Sequence, residues 1–341
     1  MKFTSAFILI ISVLFYSCKG DVKPVVEQKN PKDSVEMAKA IDFESVNNEL
    51  KSNPSNPSLY IKRARLYQKY GDVPMAIEDI DRAIKIDSLV PEFYLLKAEL
   101  YKKEEGFAEA KRTLDKCLLI DNSNVQARIE LGWLAFLIQN YKQAIEYADA
   151  ALRINVYNAE AYYLKGMIFQ EQKDTAKAIS SFITATEQEK GYYDAYIQLG
   201  LLHINQDKNL AKEYFKNALK LKPKSSEALY NYAYTLQLMG NYNEAIKTYE
   251  KMLAIQPFRE PYFNIAYINQ EYLGDYNVAI DYYSRAIEIS PLYYSAYYNR
   301  GLSYEKLGDL LNAEKDFRKT LSIVSDYDYA ALALERVLKK K

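Results

Sequence analysis

Histidine and cysteine are nearly missing from this chain of 341 residues, which has one His, His203, and two Cys, Cys18 and Cys117. So few soft ligands exclude a His/Cys zinc site and leave little from which to build a Cys/His or Ser/His/Asp centre. No acidic cluster has the spacing of a carboxylate metal site. A Gly-rich phosphate loop and a G-x-S-x-G element are both missing. Net charge is missing too, because 45 Lys and Arg balance 45 Asp and Glu. That balance removes the electrostatic footprint of a general nucleic-acid binder. Helix breakers are scarce, with 11 Gly and 10 Pro, which suits a mostly helical chain with short turns. The expectation is an all-α protein with no catalytic residues, no metal and no cofactor. What the chain has in excess is tyrosine, 33 against 13 Phe and one Trp.

The first residues read as an export signal. Lys2 precedes an apolar run from Phe3 to Tyr16, and the small Ser17 comes before Cys18. The run is too short for a comfortable membrane span. Leu14-Phe15-Tyr16-Ser17-Cys18 resembles the lipobox of bacterial lipoproteins, although Phe15 stands where that family usually has Leu. The resemblance implies a signal peptide over residues 1–17 and a diacylglycerol on the thiol of Cys18. An ordinary secretory signal or an uncleaved anchor is the alternative. Lys19 is not the Asp of an inner-membrane retention signal, so the expected location is the outer membrane of a bacterial envelope, facing the periplasm. Residues 18–33 are polar, carry Pro24 and Pro31, and read as a tether. With Cys18 lipidated, Cys117 has no partner for a disulfide.

One period dominates the remainder. Ala76, Ala110, Ala144, Ala178, Ala211, Ala245, Ala279 and Ala313 recur every 34 residues, with one step of 33. A second small-residue series precedes them: Ala64, Ala98, Gly132, Gly166, Gly200, Ala233, Ala266 and Gly301. Large residues follow each alanine by four, from Ile80 and Leu114 to Phe317, except at Ala148. A third small series holds Ala83, Cys117, Ala151, Ala185, Ala218 and Ala286. This pattern resembles the tetratricopeptide repeat. The best copy is Ala228-Leu229-Tyr230-Asn231-Tyr232-Ala233-Tyr234, followed by Gly240-Asn241-Tyr242-Asn243-Glu244-Ala245-Ile246 and Pro257.

The resemblance implies a right-handed superhelical solenoid of eight helix-turn-helix repeats over residues 57–327. Capping helices are expected at 34–56 and 328–341. Small residues at repeat positions 8, 20 and 27 let two helices approach, and large ones at 4, 11 and 24 fill around them. Gly71, Gly240, Gly274 and Gly308 mark left-handed ends of first helices. Three departures carry local expectations. Repeat 5 lacks a residue between Gly200 and Ala211, so its turn should be tight. Repeat 7 has an extra residue between Ala266 and Gly274, so its first helix should bulge. Repeat 3 has Arg128 and Ala135 in two large slots, a deficit that Trp133 could offset. His203 falls in an aromatic packing slot and Cys117 in a small one, so neither reads as a functional group.

The tyrosines divide between two stripes. Tyr60, Tyr67, Tyr94, Tyr101, Tyr162, Tyr196, Tyr249, Tyr283, Tyr297 and Tyr304 occupy packing slots. A second stripe uses positions 5, 9 and 12 of the first helix, spaced i, i+4, i+7. The family resemblance makes that stripe the lining of a concave groove. In repeats 1 and 2 it is mixed and charged. From repeat 3 onward it turns apolar and aromatic: Trp133, Tyr163, Met167, Ile197, Leu201, Tyr230, Tyr234, Phe263, Tyr267 and Tyr298. Position 6 adds Asn231, Asn264 and Asn299, whose amides could hold a ligand's main chain. The clamp that some family members use for a C-terminal carboxylate is not matched. The implied function is a non-enzymatic adaptor that binds a protein or peptide segment in this groove and supports a secretion, motility or envelope-biogenesis assembly. A homo-oligomer is not indicated. A module that stacks its tyrosines on envelope glycans or peptidoglycan is the alternative.

Overall fold

The computed structural model describes residues 31–341, with side chains from residue 36 onward. The signal peptide, Cys18 and nearly all of the tether lie outside the described residues. Among the described residues there are eighteen α-helices and one π-helical turn, and no strand. The expectation of an all-α chain of helix pairs is met. The chain divides into two compact units, residues 1–88 and 89–341.

In the first unit, α1 (Pro31–Ser52) lies against the hairpin of α2 (Pro57–Lys69) and α3 (Val73–Ile86). Val46 and Leu50 of α1 are buried there. Arg63 on α2 donates from Nε and Nη2 to both carboxylate oxygens of Asp79 on α3, at 2.6 and 2.7 Å.

The second unit is a run of seven helix pairs closed by a single helix. The pairs are α4 (Pro91–Lys103) with α5 (Phe107–Ile120), α6 (Val125–Leu137) with α7 (Tyr141–Ile154), and α8 (Ala159–Glu171) with α9 (Thr175–Gln188). Next come α10 (Tyr193–His203) with α11 (Lys208–Leu221), and α12 (Ser226–Leu238) with α13 (Tyr242–Leu253). The last two pairs are α14 (Arg259–Ile268) with α15 (Tyr276–Ile289), and α16 (Tyr294–Lys306) with α17 (Leu310–Ile323). The closing helix is α18 (Asp328–Lys340). Each second helix contacts the first helix of the next pair, so the core runs continuously from pair to pair.

Local chemistry ends and restarts the helices. Gly71, Gly240, Gly274 and Gly308 take φ between 70° and 82° at the turn inside a repeat. Repeats 2, 3 and 4 use Glu105, Gln139 and Lys173 at the same point, with φ of 58–62°. A side chain there costs about 1 kcal/mol that glycine avoids. In most repeats the next residue is Asp or Asn, and in all of these but Asn241 its side-chain oxygen caps the second helix. Asp72, Asn140, Asp174, Asp275 and Asp309 accept from backbone N–H groups in that first turn.

The small-residue series lie where the helices touch. All eight alanines from Ala76 to Ala313 are fully buried, as are Ile80, Leu114, Phe182, Phe215, Tyr249, Tyr283 and Phe317. Two pairings recur at the closest approach, and repeat 3, with Gly132 and Ala148, follows neither. Phe182, Phe215 and Phe317 lie over Gly166, Gly200 and Gly301, where an added Cβ would stand 2.4–2.8 Å from the ring. Where position 24 is Ile, Leu or Tyr, position 8 is Ala: Ala64 with Ile80, Ala98 with Leu114, Ala233 with Tyr249, Ala266 with Tyr283.

The three local expectations fare differently. The extra residue of repeat 7 is absorbed by a π-helical turn, Asn269–Leu273, as the spacing predicts. The residue missing from repeat 5 comes from the helix and not from the turn. Helix α10 has 11 residues where most first helices have 13, and four residues, 204–207, follow it. The carbonyl of His203 accepts from both Gln206 N and Asp207 N, closing the connection as a turn. Trp133 does not offset the small residue at Ala135. A partly open, mainly apolar pocket of about 240 Å3 remains beside Ala135, lined by Phe107, Leu131, Leu134, Ile138 and Tyr147 with Lys111 and Gln143. Positions 9 and 11 differ by two helical steps, about 200° around the axis, so a large side chain at one cannot fill space at the other.

His203 is half-buried and stacks on Tyr214 at 5.7 Å. Cys117 is buried, its Sγ 3.6 Å from the Pro91 carbonyl, and burial pushes its thiol up to about 11. A thiol held that high is not a nucleophile near neutral pH. Among the described residues no helix is long and apolar enough to cross a membrane. Among the same residues no group of three or more His, Cys, Asp or Glu is placed to hold a metal ion.

Candidate partner-binding face

In repeats 3 to 8 of the second unit, positions 5 and 9 of the first helices carry seven aromatic side chains: Trp133, Tyr163, Tyr230, Tyr234, Phe263, Tyr267 and Tyr298. At the start of the row, Trp133 meets Phe136 edge-on at 5.7 Å and Tyr163 at 6.0 Å. Its Nε1–H donates to Glu160 Oε1 at 3.1 Å. Tyr163 also touches Tyr192 at 5.1 Å and the core Phe182 at 5.4 Å. Burial, with Asp194 and Glu227 nearby, pushes the Tyr163 hydroxyl up to about 12. Met167 packs against the core cluster that includes Phe182 and Leu199.

Repeats 6 and 7 present parallel ring pairs. Tyr230 and Tyr234 lie 6.3 Å apart with planes 8° from parallel, and Phe263 and Tyr267 repeat this at 6.3 Å and 12°. Tyr234 is 36% exposed and Leu201 39%, whereas Tyr163, Tyr230, Phe263, Tyr267 and Tyr298 are half-buried. Tyr298 meets Phe317 and Tyr327 at 5.9 and 5.3 Å. At the far end Glu305 accepts from Arg336 and Lys340 of α18, at 2.6–2.8 Å. These hydrogen bonds hold its carboxyl down at about 2.

Two features depart from the sequence expectation. Ile197 is 2% exposed and packs with Phe215 in the core, so it is not available to a partner. The asparagines are not three equivalent free amides. Asn264 Nδ2 donates to the hydroxyls of Tyr249 (3.0 Å) and Tyr230 (3.3 Å). Asn299 Nδ2 donates to the Ser295 carbonyl of its own helix at 2.8 Å. Asn231 alone has no side-chain hydrogen bond among the described residues. Tyr249, which accepts from Asn264, joins the two stripes: the ring is fully buried, yet its hydroxyl donates to Gln237 Oε1 at 3.1 Å. The equivalent Tyr283 hydroxyl is buried without a hydrogen-bond partner among the described residues.

Tyr192 and Tyr293 were not in the expected stripe. They stand just before α10 and α16 and lay their rings on Tyr163 and Phe263, at 5.1 and 5.2 Å. The signal that could have found them is the Tyr-Tyr pair that opens both helices, Tyr192-Tyr193 and Tyr293-Tyr294.

Comparison with known proteins agrees with this architecture. Models of the tetratricopeptide repeat match residues 95–159, 159–191, 209–265 and 294–325, and a TPR repeat model matches 272–308. Together they span more than half the chain. The photosystem I assembly protein Ycf3 of Cyanophora paradoxa is 35% identical over 102 residues, covering 27% of this chain and 59% of its own length. The C-terminal part of a TPR repeat-containing protein from Cytophaga hutchinsonii superposes with a TM-score of 0.60 at 18% identity, over 70% of this chain and 98% of that one. PilW, a type IV pilus biogenesis factor, superposes with a TM-score of 0.52 at 20% identity, over 60% and 96%. These two likenesses concern the fold. Its repeat period, its buried small-residue contacts and these matches place the chain in the tetratricopeptide-repeat family.

Proposed function

We propose that this protein is a non-enzymatic adaptor that binds an extended segment of a partner protein across the first-helix face of repeats 3 to 8. The observation that carries this reading is the apolar row of Trp133, Tyr163, Tyr230, Tyr234, Phe263, Tyr267 and Tyr298, with the exposed Leu201 in place of an aromatic at repeat 5. Contiguous apolar surface of this kind marks partner sites, and aromatic anchors dominate their energetics. Glycan binding is the weaker reading. A sugar needs an open ring face, and Tyr163 and Phe263 are each crowded by three other rings at 5.1–6.3 Å. In the same proposal Cys18 carries lipid that tethers the chain to a bacterial envelope, on the outer membrane facing the periplasm, where it supports an envelope-associated assembly.

A photo-crosslinker at Tyr234, compared with one at the exposed Lys247 of α13, tests the face. A protein captured from Tyr234 and not from Lys247 supports it, and capture from Lys247 alone moves the site to the second helices. Cys18→Ala tests the tether by loss of lipid labelling. A single acyl chain binds membranes only marginally, whereas a diacylated cysteine suffices.

A further inference from the structure

The first-helix face carries the same local arrangement twice, once with a cation in it and once without. Between repeats 7 and 8, Phe263 and Tyr293 meet at 5.2 Å with planes at 43°. The Arg259 guanidinium lies 4.8 Å above the Tyr293 ring, and its Nε donates to Glu260 Oε1 at 2.7 Å. Between repeats 4 and 5, Tyr163 and Tyr192 meet at 5.1 Å with planes at 41°. Glu160 holds the helix position of Glu260, the second residue of its first helix. The position of Arg259 is taken by Ala159. The two rings and the carboxylate are therefore in place, and the guanidinium is not.

The surroundings of the second arrangement are negative. Trp133 Nε1–H fixes one oxygen of Glu160 beside the rings and leaves its charge uncompensated. Neither Glu160 nor the exposed Asp194 makes an ion pair among the described residues. The Tyr192 hydroxyl is pushed up by burial and then by Glu160, Tyr163, Asp194 and Glu189.

Resting on the reading that this face binds a protein segment, we propose that the Tyr163–Tyr192–Glu160 site receives an arginine side chain of the partner, in the place that Arg259 takes in the other copy. A guanidinium suits it better than an ammonium. It is planar, stacks on an aromatic face, is weakly hydrated, and can bond a carboxylate from its edge.

Trp133 is the only tryptophan in the chain, and it touches both Tyr163 and Glu160, so its emission reads this site without a label. Titration of the protein with Nα-acetyl-arginine N-methylamide should change that emission saturably. The neutral citrulline equivalent should bind at least about fivefold more weakly. Ala159→Arg supplies the guanidinium from within and should abolish the response. Because Ala159 is buried, Glu160→Gln provides a second variant that keeps the side-chain shape, and it should weaken binding at least about fivefold. A flat arginine titration, or a citrulline response equal to that of arginine, overturns the proposal. If partner capture at Tyr234 persists alongside a flat titration, the arginine site alone has failed. If capture at Tyr234 is lost as well, the binding face has failed with it.

Discussion

Gly200→Ala tests the account of how the helix pairs close. The added Cβ would stand 2.4 Å from Phe215 Cε1, 2.6 Å from Cζ and 2.8 Å from Cδ1. Ordinary carbon contacts lie near 3.5–4.0 Å, so the ring must move by about 1 Å. Phe215 is fully buried among Ala211, Ala218 and Ala228, which leaves it little room. Overpacking of this kind costs about 1–3 kcal/mol. Alanine is the better helix former by about 1 kcal/mol. The steric cost outweighs this gain, and a net destabilisation of up to about 2 kcal/mol is expected. Phe215→Leu alone should cost a similar amount by leaving a void. The double variant recreates the pairing of Ala98 with Leu114 and should be more stable than the sum of the single changes predicts, by at least about 1 kcal/mol. Urea unfolding gives the midpoints. Amide exchange in α10 and α11 shows where the loss begins, since repeats couple mainly to their neighbours. If Gly200→Ala instead gains the full helix-propensity benefit, the close approach at position 8 is not what places glycine there.

Two tyrosines at equivalent positions should respond in opposite ways to loss of their hydroxyls. Tyr249→Phe leaves Asn264 and Gln237 short of a partner and should cost about 1–2 kcal/mol in thermal or urea unfolding, whereas Tyr283→Phe removes an unpartnered buried hydroxyl and should be neutral or stabilising. The closing helix α18 should loosen in acid. The Glu305 carboxyl is lowered from 4.5 to about 2, so its contribution is complete above about 4.5 and is lost as pH falls toward 2. Amide exchange of α18 should show this loss, and Glu305→Gln should remove that part of the pH dependence while weakening the helix at neutral pH.

Much of the architecture was legible because each repeat constrains the same contacts. Small residues at positions 8, 20 and 27 recur since a longer side chain would separate the helices, and a period of 34 survives substitution everywhere else. The eight steps from Ala266 to Gly274 were enough to locate the π-helical turn. The deletion in repeat 5 was legible as a length and not as a place. A missing residue can come from a helix end or a turn, and the capping carbonyl of His203 settles it only in three dimensions. The stripe of positions 5, 9 and 12 located most of the aromatic row but misassigned Ile197, because a short aliphatic side chain at the edge of a stripe can turn into the core. Spacing within one helix could not find Tyr192, whose ring comes from the preceding connection. It also could not show that Asn264 is committed to Tyr249, since that bond joins two helices of different repeats.

The central claim is that the first-helix rings of repeats 6 and 7 bind a partner while the second-helix rings hold the fold. Binding of the partner captured at Tyr234, measured with purified Tyr234→Ala/Tyr267→Ala and with Tyr249→Ala, separates the two roles most directly. The account predicts that the double variant keeps its helical content and most of its melting stability but binds at least about 2 kcal/mol more weakly. It predicts that Tyr249→Ala loses about 3–5 kcal/mol of stability. Normal binding by the Tyr234→Ala/Tyr267→Ala variant would contradict it.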